Sequence, residues 1–140
     1  MNNLHRELAP ISDRAWVQIE AEASRTLKRH LAARRVVDVP EAKGVGLAAV
    51  GTGHGHEIAA NRDGIRAFLR DAKAVVELRA PFELTRQAID DVERGATDSD
   101  WSPLKEAARA IAFAEDRAVV DGYAAAGIPG IREGSNHAPI

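Results

Sequence analysis

Cysteine is absent from the 140 residues, which removes disulfides and thiolate metal centres from consideration and suits a cytosolic address. Aromatic side chains make up only 4% of the chain, so a core has to be built from Ala, Val, Leu and Ile. Neither sign of charge dominates: 19 basic and 21 acidic side chains leave a net charge of −2. Nucleic-acid binders carry a basic excess, so this balance speaks against such a partner. Apolar runs stay well short of the ~20 residues of a membrane span. The opening MNNLHRELAPIS has no apolar stretch of the kind that marks a secretory signal. What is present, 45% apolar and 29% charged residues, suits one globular domain with a real core.

The strongest periodicity runs from Asp13 to Leu31, where Trp16, Ile19, Ala23, Leu27 and Leu31 draw one apolar stripe on a helix. Ser12 or Asp13 can cap it, and its acids lie early and its bases late, as the helix dipole prefers. Arg35-Val-Val-Asp-Val39 reads as a short strand closed by Pro40, and Ala74–Ala80 as another limited by Pro81. Between them, six of the eleven glycines fall from Gly44 to Gly64, a density that predicts a bent β-hairpin or loop arm. Thr85–Arg94 is a short amphipathic helix with Ala88, Ile89 and Val92 inward and Gly95 as its stop. Ser102-Pro103 signals an N-cap and first helical residue. The helix that follows places Leu104, Ala107, Ala108, Ile111, Ala114, Ala118 and Val119 on its apolar side and should stop near Gly127. The tail GIPGIREGSNHAPI has no periodicity and ends without a terminating element.

Three features could carry chemistry. DDVERGATDSDW places five carboxylates in residues 90–101. Counted as a calcium loop from Asp98, its sixth position is Pro103 where glycine is required, so the motif fails. Helix capping and salt bridges at a domain or subunit contact are the better reading. His54-Gly-His56 could present two imidazoles on one strand face, with Glu57 or His30 as further donors, but no third ligand stands at a recognisable spacing. Solvated loop histidines are the plainer account. The basic run Arg25, Lys28, Arg29, His30, Arg34 and Arg35 reads as a solvated helix end, with a docking surface for a peptide or acidic partner as the minority alternative. The glycines form neither GxGxxG nor GxxxxGK[ST], and no serine sits in a nucleophile elbow. No catalytic constellation emerges, and no cofactor or metal site is expected.

Three segments together resemble the shell protein of encapsulin nanocompartments, the family once called linocin-type bacteriocins, in its actinobacterial form. They are NNLHRELAPIS with Ala15-Trp16 and RTLKRHLAARRVVDV, then VELRAPFELTRQAIDDVERG, then DSDWSPLKEAARAIAFAEDRAVVDGYAAAGIPGI. The resemblance covers residues 2–39 and 76–131, whereas 40–75 agrees only in length and strand-like character. It implies an α+β chain with a partial HK97 phage-capsid-like fold. Residues 1–39 would hold the N-terminal helix and first strand, 40–75 the extended E-loop arm, and 76–140 part of the peripheral domain with its spine helix at 103–126.

Such shells are icosahedral, cytoplasmic and non-catalytic. They enclose a cargo enzyme, such as a dye-decolourising peroxidase or a ferritin-like protein, through its targeting peptide. By position, the peptide-docking residues here would be Ile19, Ala23, Leu27, Arg34, Val36 and Asp38. An apolar helix face beside a guanidinium and a carboxylate is a plausible peptide groove. The family's chains are nearly twice this length, and the axial domain would lie beyond residue 140. The resemblance therefore implies a truncated, split or remnant subunit, completed by a complementary C-terminal segment and by further copies of itself. A phage-type major capsid protein, and the bacteriocin or protease activity of older family descriptions, stand as alternatives.

Overall fold

The computed structural model describes residues 5–135. Residues 2–4 of the first resembling segment and the end of the unpatterned tail at 136–140 lie outside the described residues. Helix and strand are both present: α1 Asp13–His30, β1 Ala49–Ile58, β2 Ala67–Ala74, α2 Arg86–Glu93, α3 Ser102–Asp121 and the short α4 Ile131–Gly134. Two compact units divide the chain, Met1–Val36 with Leu78–Asp116, and Val37–Glu77 with Arg117–Ile140.

In the first unit, the apolar faces of α1, α2 and α3 supply one core. Ala15 and Ile19 from α1, Ala88 and Val92 from α2, and Trp101 and Leu104 at the start of α3 are buried together. Ile11, Trp16, Ala23, Leu84 and Ile89 pack around them. Each helix begins with a side-chain cap that satisfies an otherwise orphaned amide. Ser12 Oγ accepts from Ala15 N at 3.2 Å, and Thr85 Oγ1 accepts from Ala88 N at 3.2 Å. Ahead of α3 the expected cap shifts. Ser102 is already helical, and the Asp100 carboxylate accepts from its backbone amide at 3.0 Å. α2 ends in a Schellman motif: Gly95, at φ +101°, donates to Val92 O, and Ala96 donates to Asp91 O.

The buried row of α3 is Leu104, Ala108 and Ala112, an i, i+4 series. Ala114, expected inside, is exposed. At 3.6 residues per turn each fourth residue advances about 40°, so the buried row winds around the helix and Ala114 falls on the other side of its start. α3 stops at Asp121, six residues short of Gly127, because Gly122 takes φ +85°. Tyr123 N donates to Ile128 O and Ile128 N to Tyr123 O, closing a tight loop. Gly130 is buried against this corner, where a Cβ on it would lie 2.3 Å from Gly122 N. Only glycine fits there.

In the second unit, β1 and β2 form a two-stranded antiparallel hairpin. Its register slips between Gly51 and Gly55, so that Thr52, Gly53 and His54 bulge opposite Asp71. The bulge is held by Thr52 Oγ1, which donates to Asp71 O at 3.3 Å. Every residue of β1 is exposed. The strands expected at 35–39 and 74–80 are not formed. Ala33–Arg35 is a 3-10 turn followed by irregular chain, and β2 ends at Ala74. A strand needs a ladder, and among the described residues the only two strands pair with each other.

Candidate functional site

The segment from the middle of α1 to residue 38 holds all six expected docking residues, and the structure divides them. Ile19 is buried in the core and Ala23 packs against it, so both face their own domain. Leu27 is half-buried near the end of α1. Val36 is 76% exposed, and Asp38 is exposed as well. Arg34 sits on the 3-10 turn, its guanidinium paired with the Glu115 carboxylate of α3 through both Nε and Nη2, the latter at 2.8 Å. The hydrogen bonds that Arg34 donates to Glu115 raise its pKa, so its charge is permanent.

The adjacent carboxylate acts on the backbone. Asp116 Oδ2 accepts from Ala32 N at 3.0 Å and Oδ1 from Ala33 N at 2.8 Å, so one side chain satisfies two successive amides beyond α1. The His30 ring meets Phe113 edge-on at 5.6 Å. Three contacts from Phe113, Glu115 and Asp116 thus fasten the exit of α1 to α3. These partners lie 81 to 84 residues from the groups they hold in hydrogen bonds, and no local pattern pointed to them. The only available signal was an acidic pair on a helix facing the basic run.

Four of the five carboxylates of DDVERGATDSDW take framework roles. Asp90 pairs with Arg86 at 3.6 Å, Asp91 with Arg94, Glu93 accepts from Ser12 Oγ, and Asp100 caps α3. The hydrogen bonds from Ser102 hold the Asp100 carboxyl below its ordinary value. The candidate metal pair is separated by the bulge. His54 lies within it, whereas His56 is back in register opposite Leu69, and the alternation that would give them a common face is broken. His56 Nδ1 instead lies 3.0 Å from Asp71 Oδ1, and Glu57 is engaged by Arg66 at 2.8 and 2.9 Å. Among the described residues, no three His, Asp or Glu side chains gather in metal-binding geometry. Among the described residues, no helix is long and apolar enough to cross a membrane.

The described residues thus form a three-helix core, a helix exit pinned to a long helix and a solvent-exposed hairpin. Comparison with known proteins gives them a setting. A family model described as "Encapsulating protein for peroxidase" matches residues 1–140. The chain belongs to the encapsulin shell-protein family. It is 57% identical to a type 1 encapsulin shell protein of Mycolicibacterium paratuberculosis over 140 residues, all of this chain and 53% of that one. To the type 1 encapsulin shell protein of Rhodococcus erythropolis it is 61% identical over 137 residues, 97% of this chain and 52% of the other. The counterpart from Mycobacterium tuberculosis is 55% identical over 137 residues, covering 98% and 52%. The chain therefore spans about half the length of the curated relatives it matches. The match runs through the hairpin as well, the region where the sequence alone agreed only in length and strand-like character.

Proposed function

We propose that this chain is a structural, non-catalytic component of an encapsulin-type shell, an icosahedral cage built from copies of itself around a cargo enzyme. Family membership along all 140 residues carries this reading. In it, the chain supplies part of an HK97-like subunit: α1 as the N-terminal helix, the β1–β2 hairpin as the extended arm, and α3 as the spine helix. The exposure of the hairpin supports the arm assignment, because apolar side chains such as Val50, Phe68 and Leu69 gain burial only when another surface covers them. Among the described residues its two outer strand edges pair with no further strand, which likewise suits partners that complete the ladder. A complementary segment, in the same chain or another, would supply the remainder of a subunit whose relatives are about twice as long.

Cargo capture is assigned to the exit of α1. Leu27, Arg34 and Val36 stand at or near the surface there and Asp38 follows along the chain, while Ile19 and Ala23 lie in the core of the helical unit. The cargo would be an enzyme bearing a targeting peptide, in keeping with the peroxidase named by the family model, and the compartment would be cytoplasmic.

The test is assembly followed by loading. Residues 1–140 alone are expected to give irregular oligomers by negative-stain microscopy and light scattering. Co-expression with the C-terminal half of the Rhodococcus erythropolis relative is expected to give regular particles. Uniform closed particles from residues 1–140 alone would show that no complementary segment is needed. Absence of particles in both cases would remove the shell reading. In particles that form, Val36→Glu is expected to lower co-purification of a peptide-tagged peroxidase without changing particle size.

A further inference from the structure

Between α1 and α3 of the helical unit lies a cavity of about 170 Å³ lined by Glu22, Arg25, Thr26, Arg29, His30, Lys105 and Arg109. The helical spacing explains the gathering, since Glu22, Arg25, Thr26 and Arg29 follow i, i+3, i+4 and i+7 on α1, and Lys105 and Arg109 follow i, i+4 on α3. Four permanent cations face one carboxylate, a formal charge of +3 with His30 neutral. Glu22 is already committed. It accepts from Arg25 Nη2 at 2.7 and 2.8 Å and from Thr26 Oγ1 at 3.1 Å, with Lys105 Nζ at 3.9 Å. Arg29 and Arg109 have no carboxylate partner among the described residues. Gathering like charges without a counterion costs free energy, and two unengaged guanidinium forks beside an ammonium suit a tetrahedral oxyanion.

We propose that this notch is an oxyanion site that takes a phosphate-class dianion, with Arg29 and Arg109 as its principal donors and Lys105 as a third charge. A dianion fits better than a second carboxylate because a single negative charge would leave most of the cationic excess unmatched. Glu22 is then the ligand's competitor: it holds Arg25 and lies within reach of Lys105, so removing its charge strengthens binding. The assignment rests on the helical unit alone and does not depend on the shell reading.

Isothermal titration of the full chain with inorganic phosphate, at fixed ionic strength and a pH where phosphate is dianionic, tests it. Saturable binding with Kd below about 1 mM is expected. Arg29→Gln and Arg109→Gln should each weaken it by about tenfold, and Glu22→Gln should tighten it by about tenfold. Arg14→Gln, which removes the same charge from α1 outside the notch, should leave it unchanged. Heats that do not saturate, or equal weakening by Arg14→Gln, would reduce the effect to general charge attraction and overturn the site. Unchanged affinity in Glu22→Gln would place the anion elsewhere and overturn it as well.

Discussion

In the helical unit, Ile19, Val92, Trp101 and Leu104 are each no more than 6% exposed, whereas in the hairpin Phe68 and Leu69 leave 56% and 52% of their surface open. The same kinds of side chain thus serve different ends. Apolar residues of α1, α2 and α3 stabilise this chain directly, through surface removed from water. Those of β1 and β2 remain largely in water and contribute little to it. One region buries its apolar side chains within this chain, and the other leaves them exposed.

A charge placed in each region breaks the comparison most sharply. Ile19→Glu is expected to cost the helical unit more than about 3 kcal/mol, since an unpaired carboxylate would enter the core. Leu69→Glu is expected to stay within about 0.5 kcal/mol in the isolated chain, because the site is already wet. Urea unfolding followed by circular dichroism measures both. A large effect of Leu69→Glu would mean that the hairpin is buried in solution.

Glycine gives the next contrast. Gly130→Ala drives a Cβ into backbone at 2.3 Å and is expected to cost about 2–3 kcal/mol locally, read from faster exchange of the Tyr123 and Ile128 amides. Gly46, ahead of the hairpin, has open space where a methyl would stand, with nothing within 4 Å, and no positive φ. Gly46→Ala should therefore be neutral or stabilise by about 0.5 kcal/mol. Smaller still are the caps. Ser12→Ala and Thr85→Ala should each lower the stability of the helical unit by about 1 kcal/mol in the same urea experiment.

Acid provides the gentlest probe. Burial acts to raise the Glu22 pKa, but hydrogen bonds from Arg25 and Thr26 and the charges of Arg25 and Lys105 outweigh it, leaving the carboxyl below its ordinary 4.5. A carboxyl depressed by folding adds stability that is present above its unfolded pKa and is lost as pH falls through the folded value. Thermal melts should therefore fall on acidification below about 4.5. Glu22→Gln should flatten that limb. Glu57, fully exposed on the hairpin and held by Arg66, is lowered too, yet Glu57→Gln should leave the melting profile almost unchanged because solvent screens the pair.

What the sequence made legible was local. The stripe Trp16, Ile19, Ala23 and Leu27, capped by Ser12, located α1 to within a residue. Gly95 marked the end of α2, and the glycines from 44 to 64 marked a hairpin. The Val-rich stretches at 35–39 and 74–80 have strand propensity, but propensity is satisfied only by a ladder partner, and none is offered among the described residues. The sequence placed the end of α3 near Gly127, whereas Gly122 ends it. Its close approach to Gly130 depends on how the chain returns after Pro129. Of the docking candidates, Ile19 came from the position that the resemblance gave it, and helical periodicity marks only an apolar face without naming what covers it. In the structure Ile19 is buried with Ala88 and Val92 of α2.

The Asp116 carboxylate also sets a heading. Two neighbouring amides bound to the two oxygens of one side chain leave the backbone at Ala32 and Ala33 little torsional freedom. The polypeptide leaving α1 therefore departs along one direction instead of sweeping a cone, and Val36 starts from a fixed origin only three residues later. In the proposed cargo role, a segment steered in this way would meet the targeting peptide with less orientational entropy left to lose. Asp116→Asn keeps the shape but offers one carbonyl oxygen in place of two, so it would loosen the steering while leaving every apolar contact in place.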